Sequence, residues 1–179
     1  MMPSPEDAAT ALRDIDSAQA RSATLHGYAR SSPHLILWGV LWVIGYGLND
    51  LFPAYGGAIW AVIILVGLVG DFSLLRHESA GVGWRYGAVA LTLIAFFFAV
   101  FAIMAPVSGR QIAAVIALAV GAGYVLAGIW QGPRLVIAGL VVAGLTLAGF
   151  FLVGAHFYLW MAGVGGASLV LAGLWLERV

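Results

Sequence analysis

Side chains able to bind or react are few in this chain, and most of them gather at two depths. The stretch 34–50 reads HLILWGVLWVIGYGLND, and with Arg30 ahead of it the residues Arg30, His34, Trp38, Trp42, Tyr46 and Asp50 fall four apart. On a helix such residues stack one turn above another, so these six make a ladder that drifts ~40° per rung. A straighter seam runs through Leu35, Trp38, Trp42, Gly45 and Asn49, spaced as in a left-handed helix pair, with Gly45 admitting a close backbone. The two tryptophans serve either as packing and interfacial residues or as a platform for a flat apolar ligand.

Asp71 is the one acid expected inside an apolar run, about a turn from its end. A carboxylate at a bilayer centre costs ~2.5–3.5 kcal/mol and less near the interface, so Asp71 needs a partner. If the chain turns near residue 53, His34 lies across from about residue 73, within side-chain reach of Asp71. The functional expectation is a cluster of His34 and Asp71, with Trp38, Trp42 and Tyr46 above it, binding a proton, an ion, a headgroup or an apolar solute. The structural alternative is an ion pair of Asp71 with Arg30, Arg76 or Arg85; His77 lies at the same depth. At the other depth Asn49, Asp50, Tyr55, Arg110, His156 and Tyr158 collect, and an Asp50–Arg110 pair closing the mouth is expected there, with a solute entry site as its functional version.

Other chemistry is excluded by residue type. With no cysteine there is no thiolate metal site, disulfide or cysteine nucleophile. Four histidines are too scattered for a haem pair other than His34 with His77, and no helix carries ligand spacing for zinc, so neither metal nor cofactor is expected. Ser73, Ser108 and Ser168 lack a G-x-S-x-G setting and any lysine to activate them, so no catalytic residues and no enzyme are expected. Gly121-Ala122-Gly123 has no strand or basic partner and is not a phosphate loop.

These residues must be positioned by elements that live in lipid. Only 9% of the 179 residues are charged and 63% are hydrophobic, with mean hydropathy +1.01, where a soluble domain carries about a quarter charged. Eight basic residues, all arginine, balance eight acids, so no nucleic-acid footprint exists. Six windows of about 20 apolar residues fit transmembrane helices: 34–52, 56–75, 86–105, 111–130, 135–153 and 157–176. Turn and breaker residues separate them. With an even number of spans both ends share a side, and that side holds every arginine except Arg110, so the N- and C-termini are expected in the cytoplasm, with the plasma (inner) membrane as location. The apolar runs begin after residue 33, too late for a signal peptide, so the N-terminus is expected to be retained.

The expected fold is therefore an all-α membrane protein: a six-transmembrane-helix bundle of three helical hairpins over 33–179, preceded by a cytoplasmic amphipathic helix within 1–32. Ser4-Pro5-Glu6-Asp7 makes a good helix start, and the spacing predicts a helix over 5–29 whose seam, Ala11, Ile15, Ala18 and Leu25, buries little area. It either docks on the bundle, on a second copy or on a cytosolic protein, or stays a solvated tail. Small residues four apart (Ala113-Ala117-Gly121, Gly139-Ala143, Gly144-Ala148, Ala162-Gly166, Gly163-Ala167) predict close packing inside one bundle more than a dimer face. Phe96, Phe97, Phe98 and Phe101 cover several directions, so some rings face lipid. Two functions follow: a transport component or binder of a small apolar or lipid-like solute, or a non-enzymatic anchor or sensor whose N-terminal helix engages a protein partner.

Overall fold

The computed structural model describes residues 5–75, 83–105 and 108–178. These are helical almost throughout, with no strand among them. In chain order the elements are α1 (Pro5–Leu51), a 3-10 turn Pro53–Tyr55, α2 (Gly56–Leu75), α3 (Gly83–Met104), α4 (Gly109–Gln131) and α5 (Pro133–Ala148). There follow a π turn Gly149–Val153, a 3-10 turn Gly154–His156, α6 (Phe157–Trp160), a π turn Met161–Gly166 and α7 (Ala167–Glu177).

Four helical runs among the described residues are long and apolar enough to cross a membrane: Ala9–Leu51, Pro53–Leu74, Gly109–Gln131 and Pro133–Glu177, with Leu91–Met104 a shorter apolar helix. The run Pro133–Glu177 folds back on itself at Gly154, whose φ of 62° is a conformation glycine adopts without cost. Its two halves touch at both ends: Trp160 Nε1–H donates to the Leu145 carbonyl at 2.9 Å, and Arg134 Nη1–H donates to the Trp175 carbonyl at 2.9 Å.

One expectation is corrected at Pro33. The helix expected over 5–29 and the span expected from 34 are one 47-residue helix with Pro33 inside it. Proline in a helix removes one hydrogen bond and crowds the preceding turn, at about 3 kcal/mol. Contacts on either side of it offset that cost. The Tyr28 hydroxyl accepts the Arg134 N–H, Ser31 Oγ–H donates to Gln131 Oε1 at 3.0 Å, and Ser32 Oγ–H donates to the Gly173 carbonyl at 2.9 Å. The stretch 24–32 is thus docked on the bundle's own end, while residues 9–23 stand exposed around the helix.

Packing radiates from α1. Its seam Leu35, Trp42, Gly45 and Asn49 is buried, with Trp38 half-buried. The neighbouring groove, through Ser32 and Gly39, takes α7 and the preceding π turn so closely that a Cβ on Gly39 would stand 2.7 Å from the Val170 nitrogen, and one on Gly166 would stand 2.9 Å from the Gly39 carbonyl oxygen. Between α4 and α5 Gly121 meets Gly139 and Ala143 in the same way. In lipid no hydrophobic force drives helices together, so backbone approach through small residues supplies the contact. Ala113, Ala117 and Ala162 are buried in this packing, whereas a side chain at Gly144 or Gly163 would meet nothing. On α3, Phe96 and Phe98 are exposed, while Phe97 and Phe101 stack with centroids 5.9 Å apart.

Candidate functional site

The first candidate site is built by two glycines of α2. A Cβ on Gly67 would lie 2.5 Å from Trp38 Cη2, and one on Gly70 would lie 2.7 Å from Leu37 Cδ2. Their absence lets α1 seat against α2, and the residue after Gly70 is Asp71. His34 Nδ1 then lies 2.7 Å from Asp71 Oδ1, and Trp38 Nε1–H donates to Asp71 Oδ2 at 2.9 Å. Opposite a carboxylate oxygen that accepts, Nδ1 is the ring nitrogen that can donate, and Nε2 is left to other partners. The His34 and Asp71 side chains are each about a quarter exposed, 27% and 25%, so the pair is not sealed inside the bundle. Tyr124 of α4 stands within electrostatic range of the same carboxylate.

Sequence reasoning placed His34 and Asp71 together but missed Trp38 as the donor to the second carboxylate oxygen. The signal was there, since Trp38 lies one turn above His34. Of the arginines weighed as alternatives, Arg30 is exposed. Arg76 and His77 lie outside the described residues, as does the side chain of Arg85.

Trp42 and Tyr46 are core residues, 4% and 1% exposed. The Tyr46 ring meets Trp42 and Trp60 edge-on at 5.6 Å and 4.7 Å and is stacked with Tyr158 at 6.3 Å. Edge-to-face rings at such spacings are favourable packing. Of the two rings expected to stack a flat ligand, Trp42 is enclosed, and the half-buried Trp38 sits in the notch at Gly67.

At the far end of α1, Asn49 is buried and its side chain hydrogen-bonds Tyr158. The expected Asp50–Arg110 pair is not formed among the described residues. Instead Arg110 Nη1–H donates to the Gly154 carbonyl at 2.8 Å, and its guanidinium lies 4.9 Å from the centre of the Phe150 ring. Arg110 is on the first turn of α4 and turns toward the α5–α6 reversal, away from Asp50 on the last turn of α1. His156 sits exposed in that reversal. Residues sharing a depth in the membrane need not share a direction.

A second candidate site was not visible in the sequence. Between the end of α3, α4 and the end of α5 lies a cleft of about 370 Å³, lined by Phe101, Met104, Gln111, Ala114, Val115, Leu118, Thr146, Leu147, Phe150 and Phe151 among others. That size falls within the ~300–1,000 Å³ of ligand pockets. Phe150 and Phe151 project from the π turn Gly149–Val153; π turns are often found where a helix re-aims side chains at a site. The polar wall residue Thr146 satisfies itself, its Oγ1–H donating to the Val142 carbonyl at 2.8 Å.

Arg134 is a further residue whose role the sequence did not reveal. Its guanidinium lies over Trp175 at 5.0 Å and Tyr28 at 5.6 Å, joining α1, α5 and α7 at one end of the bundle. Among the described residues no group of three His, Asp or Glu side chains is placed to hold a metal ion. No protein family, curated protein or solved structure matches this chain.

Proposed function

We propose that this chain is a non-enzymatic inner-membrane protein that crosses the bilayer six times as three hairpins, with both ends in the cytoplasm, and binds a lipid-like molecule in the cleft between α3, α4 and α5. The cleft carries the reading: it is walled mostly by aromatic and aliphatic side chains, with Gln111 at the start of α4 and Thr146, whose hydroxyl is satisfied within its own helix, as the polar residues. An apolar ligand loses nothing on entering such a wall, whereas a polar one would shed water without replacement. The topology is supported by six apolar windows and by seven of eight arginines on one side. Binding is preferred to transport because the buried Trp42 and Tyr46 fill the space between the His34–Asp71 pair and the Asn49–Tyr158 pair.

Native mass spectrometry of the full chain in mild detergent tests this. Wild type is expected to retain lipid-like molecules, and Val115→Phe, which adds bulk to the cleft wall, is expected to retain less at unchanged thermal stability. Equal retention by both proteins removes the cleft from the function.

A second reading is favoured by one observation. Residues 9–23 are exposed, with Leu12 at 62% and Ile15 at 53%, so an anchor whose N-terminal arm engages a cytosolic protein also fits. Proteolysis of inverted vesicles with and without cytosol separates the readings: protection of Arg13 and Arg21 by cytosol supports the partner, and equal cleavage counts against it.

A further inference from the structure

The cleft is not uniform along its length. Away from the start of α4 its walls are hydrocarbon, from Phe101, Leu118 and Leu147, with the buried Ala114 and Thr146 between them. Its mouth, at the start of α4, carries donors. Gln111 lines it, and the Gln111 Oε1 is turned to the Ser108 N–H at 3.2 Å, which leaves the amide NH₂ as the group that side chain offers. Across the Phe150 ring, itself a wall of the cleft, stands the half-buried Arg110 guanidinium, with one N–H given to the Gly154 carbonyl. A guanidinium has five N–H donors in a planar fork that matches carboxylate and phosphate oxygens. A fixed cation and an amide donor at one end of an apolar slot are complementary to an amphiphile whose head is an anion.

We infer that the cleft holds one acyl chain of an anionic lipid, whose carboxylate or phosphate head is bound by Arg110 at its mouth. This rests on the reading of the cleft given above and adds the class of head. A neutral tail alone would fill the slot as well, so the assignment predicts selectivity by head at constant tail. A hydrogen bond to a charged group is worth more than one between neutral groups. Partial exposure of Arg110 reduces that gain, so a preference of roughly tenfold is expected.

The test uses the full chain in mild detergent and three probes with the same sixteen-carbon tail: hexadecanoate, hexadecyl phosphate and hexadecan-1-ol. Retention is read by native mass spectrometry over a concentration series. Wild type is expected to hold at least one of the anions roughly tenfold more tightly than the alcohol. Arg110→Gln is expected to hold all three alike. A preference for the carboxylate alone identifies a free fatty acid and one for the phosphate alone a phospholipid head; either upholds the inference. Equal retention of all three by wild type overturns the head assignment and leaves the cleft reading standing. Retention of none overturns both. Selectivity that survives in Arg110→Gln overturns the role of Arg110. Should that variant fail to fold, Val115→Phe replaces it: anion selectivity in wild type that Val115→Phe leaves intact places the head elsewhere and overturns the inference.

Discussion

His34 and Asp71 are 37 positions apart in the chain and 2.7 Å apart in space, from imidazole Nδ1 to carboxylate Oδ1. The contact ties α1 to α2, and Trp38 Nε1–H closes it on the other carboxylate oxygen. Without these donors Asp71 would face lipid uncompensated, at a cost that falls with closeness to the interface.

Asp71→Asn keeps the size of the side chain but replaces an acceptor-only group by one that can satisfy only one of the two donors with oxygen. A loss of about 1 kcal/mol is expected, since a net hydrogen bond contributes about that much. His34→Ala is expected to lose a similar amount, and the double variant less than the sum, by about 1 kcal/mol, because the two share one interaction. Thermal midpoints in detergent provide the measurement. Strictly additive losses show that the two residues do not act on each other.

The notch that positions this pair makes a sharper prediction. Gly67→Ala places a methyl group 2.5 Å and 2.7 Å from two Trp38 ring carbons, so the indole must shift and its bond to Asp71 must lengthen. Overpacking of this kind costs about 1–3 kcal/mol. At Gly144 or Gly163 the same methyl group meets nothing, and alanine is the better helix former by roughly 0.5–1 kcal/mol. Gly67→Ala is therefore expected to lower the thermal midpoint and Gly144→Ala to hold or raise it. The reverse order would mean that helix propensity outweighs packing at this contact.

How much of this was legible in the sequence depends on the range of the forces involved. Period and composition are local, so, apart from the start of the first span, which runs on without a break from the N-terminal helix, the ends of the apolar runs fall within a few residues of where the sequence puts them. Hairpin arithmetic brought His34 to Asp71, because a short turn fixes both depth and neighbour. It failed for Asp50 and Arg110, which share a depth but leave their helices in different directions; direction is set by which helix packs where. Pro33 reads as a boundary by local rules, yet Tyr28, Ser31 and Ser32 anchor the helix through it by contacts 100 or more residues away along the chain. The cleft has no local signature at all. It arises where Phe101, Val115 and Phe150 of three helices fail to meet.

The end of the bundle opposite Arg110 is closed by one residue. The Arg134 backbone N–H donates to the Tyr28 hydroxyl at 3.2 Å, and its side chain donates to the Trp175 carbonyl while lying over both rings. A lysine keeps the charge but not the planar fork that bonds and stacks together. Arg134→Lys is expected to cost about 1 kcal/mol of stability and to speed hydrogen exchange over residues 24–32, leaving residues 9–23 as fast as before. Unchanged exchange over 24–32 would show that this stretch is held without Arg134.

The absence of cysteine makes the topology directly measurable, since any thiol introduced is the only one. Ser17 and His156 are both exposed and lie on opposite sides in the six-crossing arrangement. Arginine resists transfer across the membrane far more than leucine or alanine resist leaving it, so seven arginines on one side outweigh the one at 110. A membrane-impermeant maleimide added to intact cells is expected to label His156→Cys and spare Ser17→Cys, and inverted vesicles are expected to reverse the pattern. Labelling of both from one side would mean an even number of crossings between them. Labelling of Ser17→Cys from outside would invert the whole arrangement, putting Arg110 rather than His34 and Asp71 at the cytoplasmic face.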